Sequence, residues 1–252
     1  MGKIVNVGLI GCGLVAQTVH IPTLNFMSDF FRITYLCDVS QQSLDHCQRT
    51  VNAFSRPEIT KSAAEVCSSS DVDVVFILNS TEFHVQHAVL ALKHDKIAFV
   101  EKPMALNERD LKSMRDAEKA SKGTVMVGYM RRYASAFIDA VKEIGGMDKI
   151  LYATVRDVIG RNELFVPQSG TFYKTFSDFS QEDIDEKKKT LDEQNRQGIE
   201  VDLGIPLTDA SVNIWTLLGN LGSHDISAMR EALGMPTGVL GCSLSNRNTF
   251  WR

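Results

Sequence analysis

The feature that most constrains this chain is its first 38 residues. An apolar run, Ile4-Val5-Asn6-Val7-Gly8-Leu9-Ile10, leads straight into Gly11-Cys12-Gly13-Leu14-Val15-Ala16, and a second apolar run, Ile33 to Cys37, ends on Asp38. Strand, glycine turn, helix, strand and acid follow one another, as in a dinucleotide-binding βαβ unit. Gly11 permits the tight turn, Gly13 has no Cβ and lets the backbone approach a pyrophosphate, and Ala16 lets the helix pack closely on the sheet. Leu14 and Val15 open that helix, so its unpaired N–H groups and positive dipole end face the phosphates. Asp38 lies about 20 residues beyond the turn, where an acid holds the ribose hydroxyls. The bland alternative is a strand-to-helix turn in another doubly wound protein, with Asp38 capping the next helix.

A carboxylate at Asp38 suits NAD and repels the extra phosphate of NADP. Gln41 and Gln42 close by tolerate such a phosphate, so NAD is expected and NADP stays open.

Composition narrows the class. The 252 residues suffice for one large domain or two of ordinary size, and a net charge of −4 gives no basic face for nucleic acid. The five cysteines, Cys12, Cys37, Cys47, Cys67 and Cys242, are scattered and form no Cys-x-x-Cys pair. That pattern predicts reduced thiols in a cytoplasmic setting and no metal site. Cys12 is read as a small packing residue, with alkylation of the turn as the alternative. No apolar stretch is long enough for a membrane span, and the glycines after Lys3 argue against a signal peptide.

Along the chain, Gln41 to about Phe54 has helical spacing through Leu44, Cys47 and Val51, and Ser62-x-x-Glu65 is a capping-box pattern. Asp73 to Leu78 is continuously apolar after its first residue, as in a strand buried on both faces. It ends in Asn79-Ser80-Thr81, and a helix through Val85, Ala88, Val89 and Leu92 follows. Ile97 to Val100 predicts a strand delivering Glu101-Lys102-Pro103. Asn107 is the expected cap of a helix with Leu111, Met114 and Ala117 inward. Val125 to Val127 ends a doubly wound parallel sheet, and Pro22 is expected to kink or end the first helix. Gly11, Asp38, Asn79, Ser80, Glu101, Lys102 and Tyr129 then share the crevice beyond the strands' carboxyl ends.

After residue 128 the pattern changes. Tyr133 to Ile144 reads as a helix and Ile150 to Val158 as a strand. A polar insertion occupies about 160–206, its charged run from Gln181 carrying only Ile184 and Leu191 as an apolar stripe. It is expected to be a solvated helix or insertion, with a lid over the crevice as the alternative. Asp209 to Leu233 predicts a long helix, in which Gly219 and Gly222 each cost about 1 kcal/mol unless close packing or a ligand requires them. Val239 to Leu244 starts another strand. Domains at 1–128 and 129–252 follow.

The motifs resemble the Gfo/Idh/MocA oxidoreductases: Gly11 to Ala16, His84 after Asn79-Ser80-Thr81, Glu101-Lys102-Pro103, Gly128-Tyr129-Met130-Arg131-Arg132-Tyr133 and Asn220-Leu221-Gly222-Ser223-His224. The resemblance implies an NAD(P)-dependent dehydrogenase acting on sugars, polyols or similar compounds. Its Rossmann domain would precede an α/β domain with an open, mostly antiparallel sheet that mediates homo-oligomers. It assigns Lys102 to the reacting oxygen and nicotinamide-side ribose and His224 to acid/base work. Asn220 would position the hydroxyl, and Tyr129 or Arg131 would contact the rest of the substrate. Gly11, Gly13, Leu14, Val15, Asp38, Asn79, Ser80, His84, Glu101 and Lys102 would hold the cofactor, and Lys102-Pro103 would be a bend, often cis. A lysine buried beside the cofactor would have its pKa lowered.

Two departures stand out. Asn220 and Ser227 replace the aspartates of the pattern Asp-x-Gly-x-His-x-x-Asp, and family members run about another hundred residues by the resemblance, so the chain reads as C-terminally truncated. The rival reading is therefore a catalytically impaired dinucleotide-binding protein. The bland readings are a surface Lys102 paired with Glu101, a packed His224, a His84 that caps or packs on its loop, and one of Arg131 and Arg132 facing solvent.

Overall fold

The computed structural model describes residues 2–52, 56–156 and 168–241. Phe54, Val158 and Cys242 to Leu244, named above, lie outside them. One six-stranded, wholly parallel sheet organises the fold: β1 (Val5–Ile10), β2 (Phe31–Cys37), β3 (Glu58–Thr60), β4 (Val74–Ile77), β5 (Ile97–Val100) and β6 (Val125–Val127), in the order β3-β2-β1-β4-β5-β6. Strand order reverses between β1 and β4, and there the connections leave a crevice beyond the carboxyl ends.

Helices cover both faces because the central strands are apolar on both. On one face Val75, Ile77, Ala98 and Val100 pack with α3 (Ala63–Ser68), α4 (His84–Lys93) and α5 (Glu108–Ala120) through Val66, Ala88 and Met114. On the other, Val7, Leu9 and Leu36 pack with α1 (Ile21–Phe26) and α2 (Gln41–Thr50) through Ile21, Leu24, Leu44 and Cys47. Each large side chain buried this way contributes about 1.5–3 kcal/mol. Cys12, Cys37, Cys47 and Cys67 are free and buried, which bears out packing rather than exposure for Cys12.

Local grammar sets the boundaries. Ser40, Ser62 and Asn107 cap α2, α3 and α5 by accepting the N–H of Ser43, Glu65 and Asp110. Only half of the expected box at Ser62 forms, since the Glu65 carboxylate takes the Thr60 hydroxyl at 2.7 Å instead. Pro22 does not end the first helix. A π turn, Ala16–His20, precedes α1 and opens the backbone where the proline lacks an N–H and its ring would crowd the preceding turn. The short edge strand β3 escaped the sequence reading, being too brief to show a pattern.

The chain separates into two compact units, Met1–Tyr129 with Val158–Ser223, and Met130–Asp157 with His224–Arg252. In the first, α7 (Gln181–Asn195) continues into a π-helical stretch, Arg196–Asp202. Then α8 (Asp209–Leu217) runs through a π turn, Leu218–Gly222, to α9 (Ser223–Leu233), the expected long helix. Gly219 packs closely, since a Cβ there would sit 2.6 Å from a terminal methyl of Leu106, which would have to shift.

The second unit holds a 3₁₀ turn, Met130–Tyr133, α6 (Ser135–Gly145) and α9 from His224 onward. The antiparallel sheet expected after residue 129 is not present among the described residues, where every strand belongs to the parallel sheet. Residues 150–156 and 239–241 form no ladder. A strand needs a neighbour for its backbone groups, and here Leu151 and Tyr152 are 83% and 85% exposed. Nor does a strand continue through Arg131 and Arg132. The 3₁₀ turn directs both to acids of α9, Arg131 Nη1 to Asp225 Oδ1 at 2.8 Å and Arg132 to Glu231.

Candidate active site

Beyond β1, β2 and β4 lies a cavity of about 720 Å³, within the range of small-molecule sites. Gly11, Gly13, Leu14, Val15, Asp38, Asn79 and Ser80, all singled out from sequence, line it. Gly11 has φ +106°, and a Cβ on it would lie 2.5 Å from the backbone nitrogen of Asn79. Only glycine fits that crossing of two strand ends. A Cβ on Gly13 would meet nothing within 4 Å, which leaves the open space a diphosphate against this backbone requires.

Asp38 does more than face the cavity. Its Oδ2 accepts the Cys12 N–H at 2.7 Å and its Oδ1 the Ser40 N–H at 2.9 Å, so it fixes the glycine turn while its remaining lone pairs stay available. Burial raises its pKa, the N–H groups of Cys12 and Ser40 oppose the rise, and the nearby Asp178 carboxylate adds to it. The helix cap is Ser40, which removes the bland reading of Asp38.

Asn79 presents an acceptor. Its Nδ2 donates to His87 Nδ1 at 2.9 Å, which leaves Oδ1 buried with no hydrogen-bond partner at the cavity wall. An unpaired buried oxygen costs about 1–3 kcal/mol until a ligand donor reaches it. Burial, then the neighbouring His84, lowers His87 to about 4, so it stays a neutral acceptor. Sequence reasoning missed His87 because nothing local distinguishes it from other helical histidines.

His84 lies behind the wall. Its Nδ1 meets the Pro103 carbonyl at 2.8 Å and its Nε2 the Asn79 carbonyl at 3.0 Å, tying together the loops that follow β4 and β5. Beyond β5, the Lys102-Pro103 bond is cis. Both oxygens of Glu101 are held: its Oε1 pairs with His20 Nε2 at 2.8 Å, and its Oε2 accepts the Lys102 N–H at 3.1 Å. Burial opposes ionisation of Glu101, yet the His20 hydrogen bond and charge, with the Lys102 N–H and the Lys102 charge, bring its pKa below the ordinary value. His20 is held edge-on to the stacked rings of Phe76 and Phe99. Lys102 Nζ donates to the Asn220 carbonyl at 3.0 Å, within the π turn that interrupts the regular helical hydrogen bonding. A surface Lys102–Glu101 pair is thus not what forms. Tyr129 follows β6, its N–H on the Val127 carbonyl.

The polar insertion crosses the first unit. Lys174 exchanges hydrogen bonds with the Gln17 amide at 2.8 and 3.1 Å, and Phe176 packs on His46. Asp178 accepts the Ser40 hydroxyl at 2.5 Å and the Gln42 N–H at 3.0 Å. A capping box between Ser180 and Asp183 then starts α7, which is solvated on one side but places Asp183, Ile184, Glu186 and Lys187 on the cavity wall. Farther along, Gln194 donates to the Glu82 carbonyl at 2.8 Å and Arg109 pairs with Glu193 at 2.8 Å. A wider depression of about 1100 Å³, lined by Lys188, Lys189, Asp192 and Arg196, shares no residue with the cavity.

His224 and Arg131 belong to the second unit, with His224 buried in the first turn of α9. Among the described residues no group of His, Cys, Asp or Glu is arranged for a metal, and no helix is long and apolar enough to cross a membrane.

Residues 5–129 match the Gfo/Idh/MocA model, described as an oxidoreductase family with an NAD-binding Rossmann fold. Inositol 2-dehydrogenase 3 of Saccharopolyspora erythraea is 29% identical over 191 residues, covering 75% of this chain and 54% of that protein. Inositol 2-dehydrogenase of Paracoccus denitrificans is 28% identical over 163 residues, 63% of this chain and 48% of its own. The chain spans about half the length of the curated relatives it matches. The fold is shared with myo-inositol dehydrogenase from Lactobacillus casei, solved with NAD(H) and myo-inositol, at TM-score 0.52 and 24% identity over 57% of this chain and 42% of that one. It is shared also with the protein yvaA from Bacillus subtilis at TM-score 0.59 and 18% identity, over 93% of this chain and 53% of that one. With the 3-2-1-4-5-6 sheet, the glycine turn and the terminal acid in place, residues 5–129 of the chain belong to the Gfo/Idh/MocA oxidoreductase family as its NAD-binding Rossmann domain.

Proposed function

We propose that this chain binds NAD in the cavity beyond β1, β2 and β4 and serves hydride transfer between the nicotinamide and a hydroxyl-bearing carbon of a polyol or sugar. The observation that carries the reading is the cavity wall itself, where glycine backbone, a ribose-side acid and the unpaired Asn79 oxygen converge at the switch point of the sheet. When bound, the nicotinamide supplies the hydride chemistry. Gly11 and Gly13 bring backbone against the diphosphate, Asp38 takes the adenosine ribose hydroxyls, and Asn79 with Ser80 serves the middle of the cofactor. Lys102 stabilises negative charge on the reacting oxygen, and His224 exchanges its proton. Glu101 and His84 are positioning residues, since each is consumed by contacts that fix the loop carrying Lys102. Asn220 orients the hydroxyl as a neutral group, and Tyr129 and Arg131 contact the rest of the substrate.

The test is absorbance at the reduced-nicotinamide band with NAD and a panel of inositols, sugars and other polyols, alongside calorimetry with NAD alone. Saturable binding with turnover of a polyol supports the reading. One observation favours a second: Asn220 stands where the family pattern has an aspartate. Saturable NAD binding with no turnover across the panel selects a binding module without catalysis. The exposed pair Leu151 and Tyr152 supports an intermolecular contact in the second unit, for which sedimentation velocity reads the oligomeric state.

A further inference from the structure

We infer that Asp178, carried by the insertion, makes this cleft reject a coenzyme with a 2′-phosphate. The inference rests on the dinucleotide reading above and adds a specificity residue to it. In a cleft of this topology the adenosine ribose lies against the acid at the end of β2. Its 2′-oxygen therefore faces the start of the next helix, where backbone N–H groups and a cap hydroxyl would receive a phosphate. Here that seat is α2, with Ser40 as cap and the N–H of Gln42 in the first turn.

The seat already holds an anion. Asp178 Oδ1 takes the Ser40 hydroxyl at 2.5 Å and Oδ2 takes the Gln42 N–H at 3.0 Å, two donors that a 2′-phosphate would need. These contacts hold the Asp178 carboxyl below its ordinary range, so it is ionised at neutral pH. It also stands close enough to Asp38 to raise that group's pKa, which places two carboxylates around one ribose edge. Nor is Asp178 a loose end. Lys174 is held by Gln17 and Phe176 by His46 on one side, and the Ser180–Asp183 capping box follows on the other. A 2′-phosphate must both displace an anchored carboxylate and approach a second one, whereas two free ribose hydroxyls need do neither.

The test is titration calorimetry of NAD, NADP and 2′,5′-ADP on the wild-type protein and on Asp178→Asn and Asp178→Ala. Thermal melts check that each variant is folded. Asparagine removes the charge and keeps one acceptor oxygen, for the Gln42 N–H, with its NH2 group left to donate to the Ser40 hydroxyl, and alanine empties the seat. The expected result is wild-type preference for NAD over NADP of at least about tenfold. Both variants should bind NADP and 2′,5′-ADP at least about tenfold more tightly than wild type, with NAD affinity changed by less than about threefold. Saturable NAD binding with an unchanged NADP ratio in both variants overturns the inference and leaves the dinucleotide reading standing. Equal wild-type affinity for the two coenzymes overturns it as well. If folded wild-type protein binds neither, the dinucleotide reading fails and takes the inference with it.

Discussion

The parallel sheet and the insertion laid across it are built on opposite principles. In the sheet, the central strands are apolar on both faces and have a neighbour on each side, so the core of Val7, Leu9, Val75 and Ile77 holds its shape by burial. The segment from Lys174 to Asp183 buries little and is held by individual polar contacts to Gln17, Ser40 and Gln42. Burial makes the strand ends a rigid frame for chemistry, while discrete hydrogen bonds let the insertion tune what the frame admits.

The comparison can be broken first at the frame. Lys102→Ala should lower kcat by about 10³-fold, in line with loss of a proton-handling group, while NAD affinity stays within about threefold. Steady-state kinetics on an active polyol with parallel calorimetry checks this. Equal loss of both would make Lys102 a binding residue. Gly11→Ala comes next. The positive φ costs about 1–3 kcal/mol in stability, and the clash with Asn79 should abolish measurable NAD binding, as read by urea denaturation and calorimetry.

A smaller effect separates burial from hydrogen bonding by pH. His87 protonates only near pH 4 in the folded chain, against an ordinary value of 6.5. Its folded pKa is depressed, so stability is whole above pH 6.5 and falls as the unfolded state takes up the proton between 6.5 and 4. The loss should be roughly 3 kcal/mol at the lower end. Urea midpoints at pH 7 and 4.5 should show a flatter decline in His87→Gln than in wild type, and parallel declines would contradict the assignment. On the insertion, Gln17→Ala removes one anchor and should cost only about 1 kcal/mol. Amide exchange should nevertheless speed up over 172–180 and stay unchanged in β1, β4 and β5.

How much of this was legible follows the same division. Asp73 to Leu78 and Ile97 to Val100 read as buried strands because their apolar runs record burial on both faces, and β4 and β5 lie where those runs predict. Asn107 read as a cap because its partner, Asp110, is three residues away. Asp178 left no such trace, since its partner Ser40 is 138 residues distant and one acid in a polar segment looks like any other. His20 was invisible for the same reason, with Glu101 81 residues away. The expected antiparallel sheet shows the reverse case: Ile150 and Val239 head stretches with strand-like composition, but composition does not supply a neighbour, and the described residues 150–156 and 239–241 join no ladder.

The central claim is that a dinucleotide spans the carboxyl ends of β1, β2 and β4. Hydrogen exchange read by mass spectrometry, with and without saturating NAD, tests it most directly. The account predicts added protection at 11–15, 38–42 and 78–81, with little change at the opposite ends of the same strands. Protection confined to residues outside those three stretches, or none at saturating NAD, would contradict it.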